Sequence, residues 1–195
     1  MKKDAIRSKA SFLAYDFPGP ILSDQSQLTK ECFEVINKTV REDIKKLKEK
    51  YKFTRCIVVG VSLASSFGSM IYKDNSDITD IILVAPGESL AREVWQGYRT
   101  QHLRKSYEKR GITLEELENS WYDLASENNM PAKDAKIYMY LAGKDKVVPS
   151  ICKNLINNLE KNSSNPSYKI HPSLGHYLLI FYFLLFPRRF MGNNL

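Results

Sequence analysis

The sequence predicts an α/β protein with a mainly parallel sheet of about five strands flanked by helices. Three observations lead there. Short apolar runs rich in β-branched residues, such as Cys56-Ile57-Val58-Val59 and Ile78 to Ala85, alternate with longer segments of helical period. These runs show no polar alternation, as expected of strands covered on both faces. The chain has 195 residues, 43% of them hydrophobic and 26% charged. That suits one domain over residues 1–195 and excludes a disordered or collagen-like chain.

The elements run in order along the chain. Ser11-Phe12-Leu13-Ala14-Tyr15 is a short strand stopped by the dense turn signal Asp16-Phe17-Pro18-Gly19-Pro20. Leu28, Cys32, Val35, Ile36, Val40, Ile44, Leu47 and Tyr51 recur at helical spacing and mark a long helix that Asp24 or Ser26 can cap. Cys56 to Val59 is a buried strand, and the small residues of Gly60-Val61-Ser62-Leu63-Ala64-Ser65-Ser66-Phe67-Gly68 turn it into a second helix. Ile78 to Ala85 is the next strand, ended by Pro86-Gly87. Two helices fill Ser89 to Asn128. The second opens with the capping box Thr113-Leu114-Glu115-Glu116, and Leu114, Leu117, Trp121 and Leu124 form its buried stripe. Lys136 to Leu141 is a strand, Ile151 to Leu159 a helix and Tyr168 to Ile170 a last strand.

Composition narrows the function classes. The net charge of +7 permits attraction to an anionic partner without naming one. Lys45 to Lys50 lacks the glycine and aromatic interleaving of a nucleic-acid platform and reads as a solvated helix face, as does Arg99 to Lys105. No nucleic-acid partner is expected. Cys32, Cys56 and Cys152 are too few for a disulfide scaffold and have no metal-ligand spacing, so reduced thiols are expected, with no metal and no cofactor. The first residues carry positive charge without a following apolar stretch, which points to a cytoplasmic protein. Tyr177 to Phe186 is ten consecutive apolar or aromatic residues. As a helix it reaches only about 15 Å, half a hydrocarbon core of roughly 30 Å, so it reads as a buried helix rather than a span. Much of it is expected to pack on the sheet, with any exposed strip meeting another chain.

Chemistry gathers where strands end in such a fold. Ser62 lies between a strand and a helix within the pattern small-x-Ser-x-small, where a sharp turn lifts the hydroxyl out and bulky flanking side chains would clash. The helix after it aims N–H groups at an oxyanion beside Ser62. Asp145 lies in the loop after the strand Lys136 to Leu141, where it either serves a site or caps the helix that begins near Ser150. Of three histidines, His102 lies on a helix among basic residues and His171 ends a strand beside Pro172. His176, after Gly175, sits in a short loop from which an imidazole can reach across strand ends.

With Ser, Asp and His in that order and each following a strand, the sequence resembles the α/β-hydrolase family from about Ser11 to Phe186. Asp16 to Ser23 is similar to the family's turn after its fourth strand, Gly60 to Ala64 to its nucleophile elbow with Ala64 in place of the commoner glycine, Gly143 to Pro149 to its acid loop, and Gly175-His176 to its histidine loop. The resemblance implies a serine hydrolase acting on an ester-like or other small acyl substrate through an acyl-enzyme. Ser62 would be the nucleophile, His176 the general base and then acid, Asp145 the group orienting His176, and the Leu63 backbone N–H one oxyanion donor.

The resemblance also implies gaps. The ten residues before Ser11 are too few for the family's first three strands, whose loops supply its second oxyanion donor. Either Phe12 to Tyr15 pairs directly with Cys56 to Val59, making Phe17 or Gly19 the substitute donor, or a slot stays open that favours dimerisation. Residues 88–129 occupy the place of a lid-like helical insertion, with Trp95, Tyr98, Tyr107, Trp121 and Tyr122 expected to pack rather than recognise substrate. Two alternatives to the hydrolase stand beside it. One is a catalytically impaired binding or assembly module; the other is a membrane-surface protein using Tyr177 to Phe190, with Arg188 and Arg189 at the lipid.

Overall fold

The computed structural model describes residues 13–15, 20–73, 75–129, 136–148, 152–162 and 167–191. Helix α1 (Ser26–Tyr51) leads into strand β1 (Ile57–Val61), α2 (Ala64–Lys73) and β2 (Asp80–Val84). Helices α3 (Leu90–Gln96), α4 (Gln101–Lys109) and α5 (Leu114–Ser120) come next, then β3 (Lys136–Ala142), α6 (Lys153–Asn162), β4 (Ser167–His171), α7 (His176–Leu185) and the short α8 (Arg188–Met191). The four strands form one parallel sheet in the order β1-β2-β3-β4.

Alternate side chains of each strand feed two separate cores. Ile81, Leu83, Ile137, Met139 and Leu141 join the helices α1 to α6 on one face. On the other face, Ile82 and Val84 meet Leu179, Phe183 and Phe190. Both faces of β2 are thus covered, and all five of its residues are buried. This explains why its sequence lacks polar alternation. At its start, Asp80 is 2% exposed and takes two 3.0 Å hydrogen bonds from the Arg55 guanidinium and one from Thr79. Burial pushes the Asp80 carboxyl up, but these donors outweigh it and hold the pKa below its ordinary value.

Several expectations need correction. Leu13 to Tyr15 belong to no strand; the Tyr15 hydroxyl donates to Asp43 of α1, so this stretch lies along the helix instead of pairing with β1. Phe12, Phe17 and Gly19 lie outside the described residues. The sheet therefore has four strands among the described residues. The inward stripe of α1 is Thr29, Phe33, Val40 and Ile44, whereas Leu28, Val35 and Tyr51 are exposed. The partner decides this: Phe33 stacks on Phe67 of α2 at 3.9 Å, rotating the helix toward that ring. Neither Asp24 nor Ser26 caps α1. Gln25 stands at the cap position without a side-chain bond, and Asp24 turns instead to Arg110 at 2.8 Å.

Residues 89–128 hold three helices and three 3₁₀ turns instead of two helices. Gly97 ends α3, its N–H donating to the Glu93 carbonyl, and a Cβ there would stand 2.5 Å from that same oxygen. The capping box at Thr113 and Glu116 is formed in both directions. Tyr107, Leu117, Trp121 and Leu124 are buried in the same core as α1 and α2. Arg92 binds Glu118 and Glu127, fastening α3 both to α5 and to the 3₁₀ turn at Ser126–Asn128. Tyr98 and Tyr122 stay exposed. Helix α7 packs along a narrow stripe of His176, Leu179 and Phe183, leaving most of its apolar surface exposed. No helix among the described residues is long and apolar enough to cross a membrane.

Candidate active site

Ser62 comes directly after β1, in the left-handed region at φ 54°. A non-glycine residue held there stores strain, and the surrounding structure must over-determine it. Here it does: the Ser62 N–H donates to the Val84 carbonyl at 2.8 Å, and the Ser62 carbonyl accepts from the Ser65 N–H as α2 begins. A Cβ on Gly60 would lie 2.7 Å from both the Ala64 carbonyl oxygen and the Ser65 Cα, so only glycine fits beneath the turn. Ala64 is exposed, and its methyl group meets no such restriction. The Leu63 N–H, next in line at the start of α2, donates to no described group.

His176 is the first residue of α7 and 3% exposed. Its Nε2 lies 2.8 Å from the Ser62 Oγ and its Nδ1 2.7 Å from the Asp145 Oδ2. A carboxylate can only accept, so the contact with Asp145 favours the tautomer that carries its proton on Nδ1 and turns the Nε2 lone pair to the serine hydroxyl. The other carboxylate oxygen, Oδ1, accepts from the N–H groups of Val147 and Val148 at 2.9 Å each. Asp145 therefore both holds its own turn together and reaches the histidine; it does not cap the next helix, which begins at Lys153 rather than near Ser150.

The acid and histidine loops are joined through main chain. Gly143 N–H donates to the His171 carbonyl and Lys144 N–H to the Leu174 carbonyl, both at 2.9 Å. The backbones approach so closely that a Cβ on Gly143 would lie 2.7 Å from the Pro172 Cα. His102 is exposed on α4. His171 packs its ring among Tyr140, Tyr182 and Phe190, and burial lowers its pKa. Neither belongs to the constellation.

Two features nearby escaped the sequence reading. Ala85, just beyond β2, also has a positive φ of 50°, a strain that no alanine in a sequence announces. Glu93 on α3 has its Oε1 buried without a partner among the described residues, although the residue as a whole stays partly exposed. Burial, together with the negative charges of Glu88, Asp145 and Glu127, outweighs Arg92 and pushes the Glu93 carboxyl up to about 8. Cys152 is free and buried, its thiol donating to the Pro86 carbonyl, and burial pushes its pKa up. A hollow of about 20 Å³ beside Asp145, lined by Ala85, Pro86, Gly143 and Cys152 among others, has room for about one water. Among the described residues no group of three or more His, Cys, Asp and Glu is placed to hold a metal ion.

No known family profile matches the sequence, and no curated protein matches it. Solved structures do. Acetyl xylan esterase 1 from Thermoanaerobacterium sp. is similar with a TM-score of 0.67 at 15% identity, over 92% of this chain and 59% of that one. An acetyl xylan esterase from Paenibacillus sp. matches with a TM-score of 0.63 at 13% identity, over 94% of this chain and 60% of the other. An esterase of Pyrococcus furiosus matches with a TM-score of 0.53 at 14% identity, over 77% and 55%. At these identities the likeness is one of fold, and the chain spans less than two thirds of the length of each of these proteins.

Proposed function

From a chain whose fold is α/β-hydrolase-like, we infer a serine hydrolase acting on an ester-like or other acyl substrate through an acyl-enzyme. The observation that carries this reading is the continuous chain of contacts from Ser62 Oγ through His176 to Asp145, at 2.8 and 2.7 Å. In this reading His176 Nε2 takes the hydroxyl proton as Ser62 Oγ attacks the acyl carbon, and Asp145 stabilises the imidazolium that results. The oxyanion of the tetrahedral intermediate meets the Leu63 N–H. Collapse expels the leaving group, which receives the proton from His176 Nε2 and leaves the acyl group on Ser62. Water then attacks the acyl carbon, giving its proton to His176, which returns it to Ser62 as the acid departs.

A second reading, a catalytically impaired binding or assembly module, draws on the sheet ending at β1 among the described residues, since the resemblance puts the second oxyanion donor in the loop after a strand beyond β1. The loss of one such donor costs about 10²–10³ in turnover. Labelling of the intact chain by a fluorophosphonate decides between them. Labelling at Ser62, lost in Ser62→Ala, together with hydrolysis of p-nitrophenyl acetate that falls by about 10⁴ in Asp145→Asn, is the expected result. A folded chain that neither labels nor hydrolyses would leave the binding module standing.

A further inference from the structure

Cover over the sheet runs out at β1. Ile82 and Val84 of β2, on the face that α7 covers, are 2% and 0% exposed. On the same face Ile57, Val59 and Val61 are only half-buried, and β1 pairs with no strand beyond β2 among the described residues. Helix α7 packs chiefly on β2 and β3. Among the described residues, a strip over β1 beside α7 is therefore only partly covered.

Helix α7 presents apolar surface to that strip. At about 100° per residue, the inward side is set by Leu179 and Phe183, and Tyr177, Leu178, Phe181, Leu184 and Leu185 point away from it. All five are 49–60% exposed. Tyr182 marks the flank toward β4, its ring 6.0 Å from that of His171, so Ile180 and Leu184 on the opposite flank look toward β1. From Tyr177 to Leu185 there is no charged residue. Arg99 lies 5.0 Å over the Tyr177 ring, and Arg189 lies 5.0 Å over that of Phe186 and donates to the Tyr182 hydroxyl, which puts cations at the two ends of the helix and on its β4 flank.

We propose that a second copy of this chain seats its own α7 in the strip over β1, the two helices packing antiparallel about a two-fold axis. Shape selects this occupant. The exposed side of α7 stands outside the sheet by the thickness of a helix, roughly 10–12 Å with its side chains, whereas β1 carries no such layer among the described residues. A flat lipid surface meets the projecting helix alone, whereas a second α7 meets both levels. Area agrees. Five half-exposed large side chains offer roughly 100 Å² each, and the β1 face brings this toward the ~800 Å² per partner of a stable interface. The surface is also self-complementary, as a two-fold contact requires.

Sedimentation of the intact chain at tens of micromolar should give twice the 22.5 kDa chain mass, and hydrogen exchange of α7 amides should slow as concentration rises. Phe181→Asp with Leu184→Asp should weaken association at least tenfold, while Val35→Asp, on the exposed side of α1, leaves it unchanged. A monomer at that concentration, a dimer that survives the double substitution, or α7 exchange indifferent to concentration would overturn the proposal. So would a monomer that floats with phosphatidylglycerol vesicles, since the strip would then be a lipid surface.

Discussion

Single atoms decide the geometry around Ser62. A methyl group on Gly60 would press on the Ala64 carbonyl and the Ser65 Cα, both main chain and unable to rotate away. Gly60→Ala is therefore expected to cost about 1–3 kcal/mol, read as a lower urea midpoint, and to reduce labelling of Ser62; an unchanged midpoint would show that the turn can shift. Glu93 gives a pH dependence whose sign comes from its direction. Unfolded, the carboxyl ionises near 4.5; folded, it holds its proton to about 8. Across that window the unfolded chain releases a proton that the folded chain keeps, so stability falls as pH rises, by up to about 1.4 kcal/mol per pH unit, and levels off above it. Glu93→Gln should flatten this slope in urea denaturation across the window, and an identical slope in the variant would assign the dependence elsewhere.

At the scale of elements, the features legible in advance were those each segment settles locally. Ser62, Asp145 and His176 each come after a strand and carry a local marker, Gly60, Gly143 or Gly175, so their approach to one another was legible. The face of α1 was legible only in part: Val40 and Ile44 lie inward as read, whereas Phe33 takes the place expected of Leu28 and Val35. Two apolar stripes run along it, and the choice between them belongs to Phe67 on another helix. Phe33→Ala is accordingly expected to cost about 3–5 kcal/mol, against within about 0.5 kcal/mol for Val35→Ala, which is 64% exposed. Chemical denaturation of the two variants checks the contrast, and equal costs would return the helix to the other face. Glu93 and the strained Ala85 were illegible for the same reason: a buried carboxyl and a positive φ are imposed by neighbours distant in sequence.

For the whole molecule, residues 88–129 are woven into the core. The Trp121 indole N–H donates to the Ser26 carbonyl at 3.0 Å, and the Tyr107 hydroxyl donates to that of Ser23, tying residues 88–129 to the start of α1. Tryptophan fluorescence, which reports Trp95 and Trp121 within this segment, and far-ultraviolet dichroism should therefore lose their signals in one coincident transition. Fluorescence changing first would mean that the segment opens separately. The main-chain joint between the acid and histidine loops has a wider consequence. Asp145 and His176 ride together on the β3–β4 half of the sheet, while Ser62 rides on the β1–β2 half. The two halves act as the jaws of a calliper: the spacing within one jaw is fixed by main-chain hydrogen bonds, and the gap between jaws is set by how β2 lies against β3. Replacements in the sheet interior, however far from the serine, are felt as a single adjustable quantity, the opening between Oγ and Nε2.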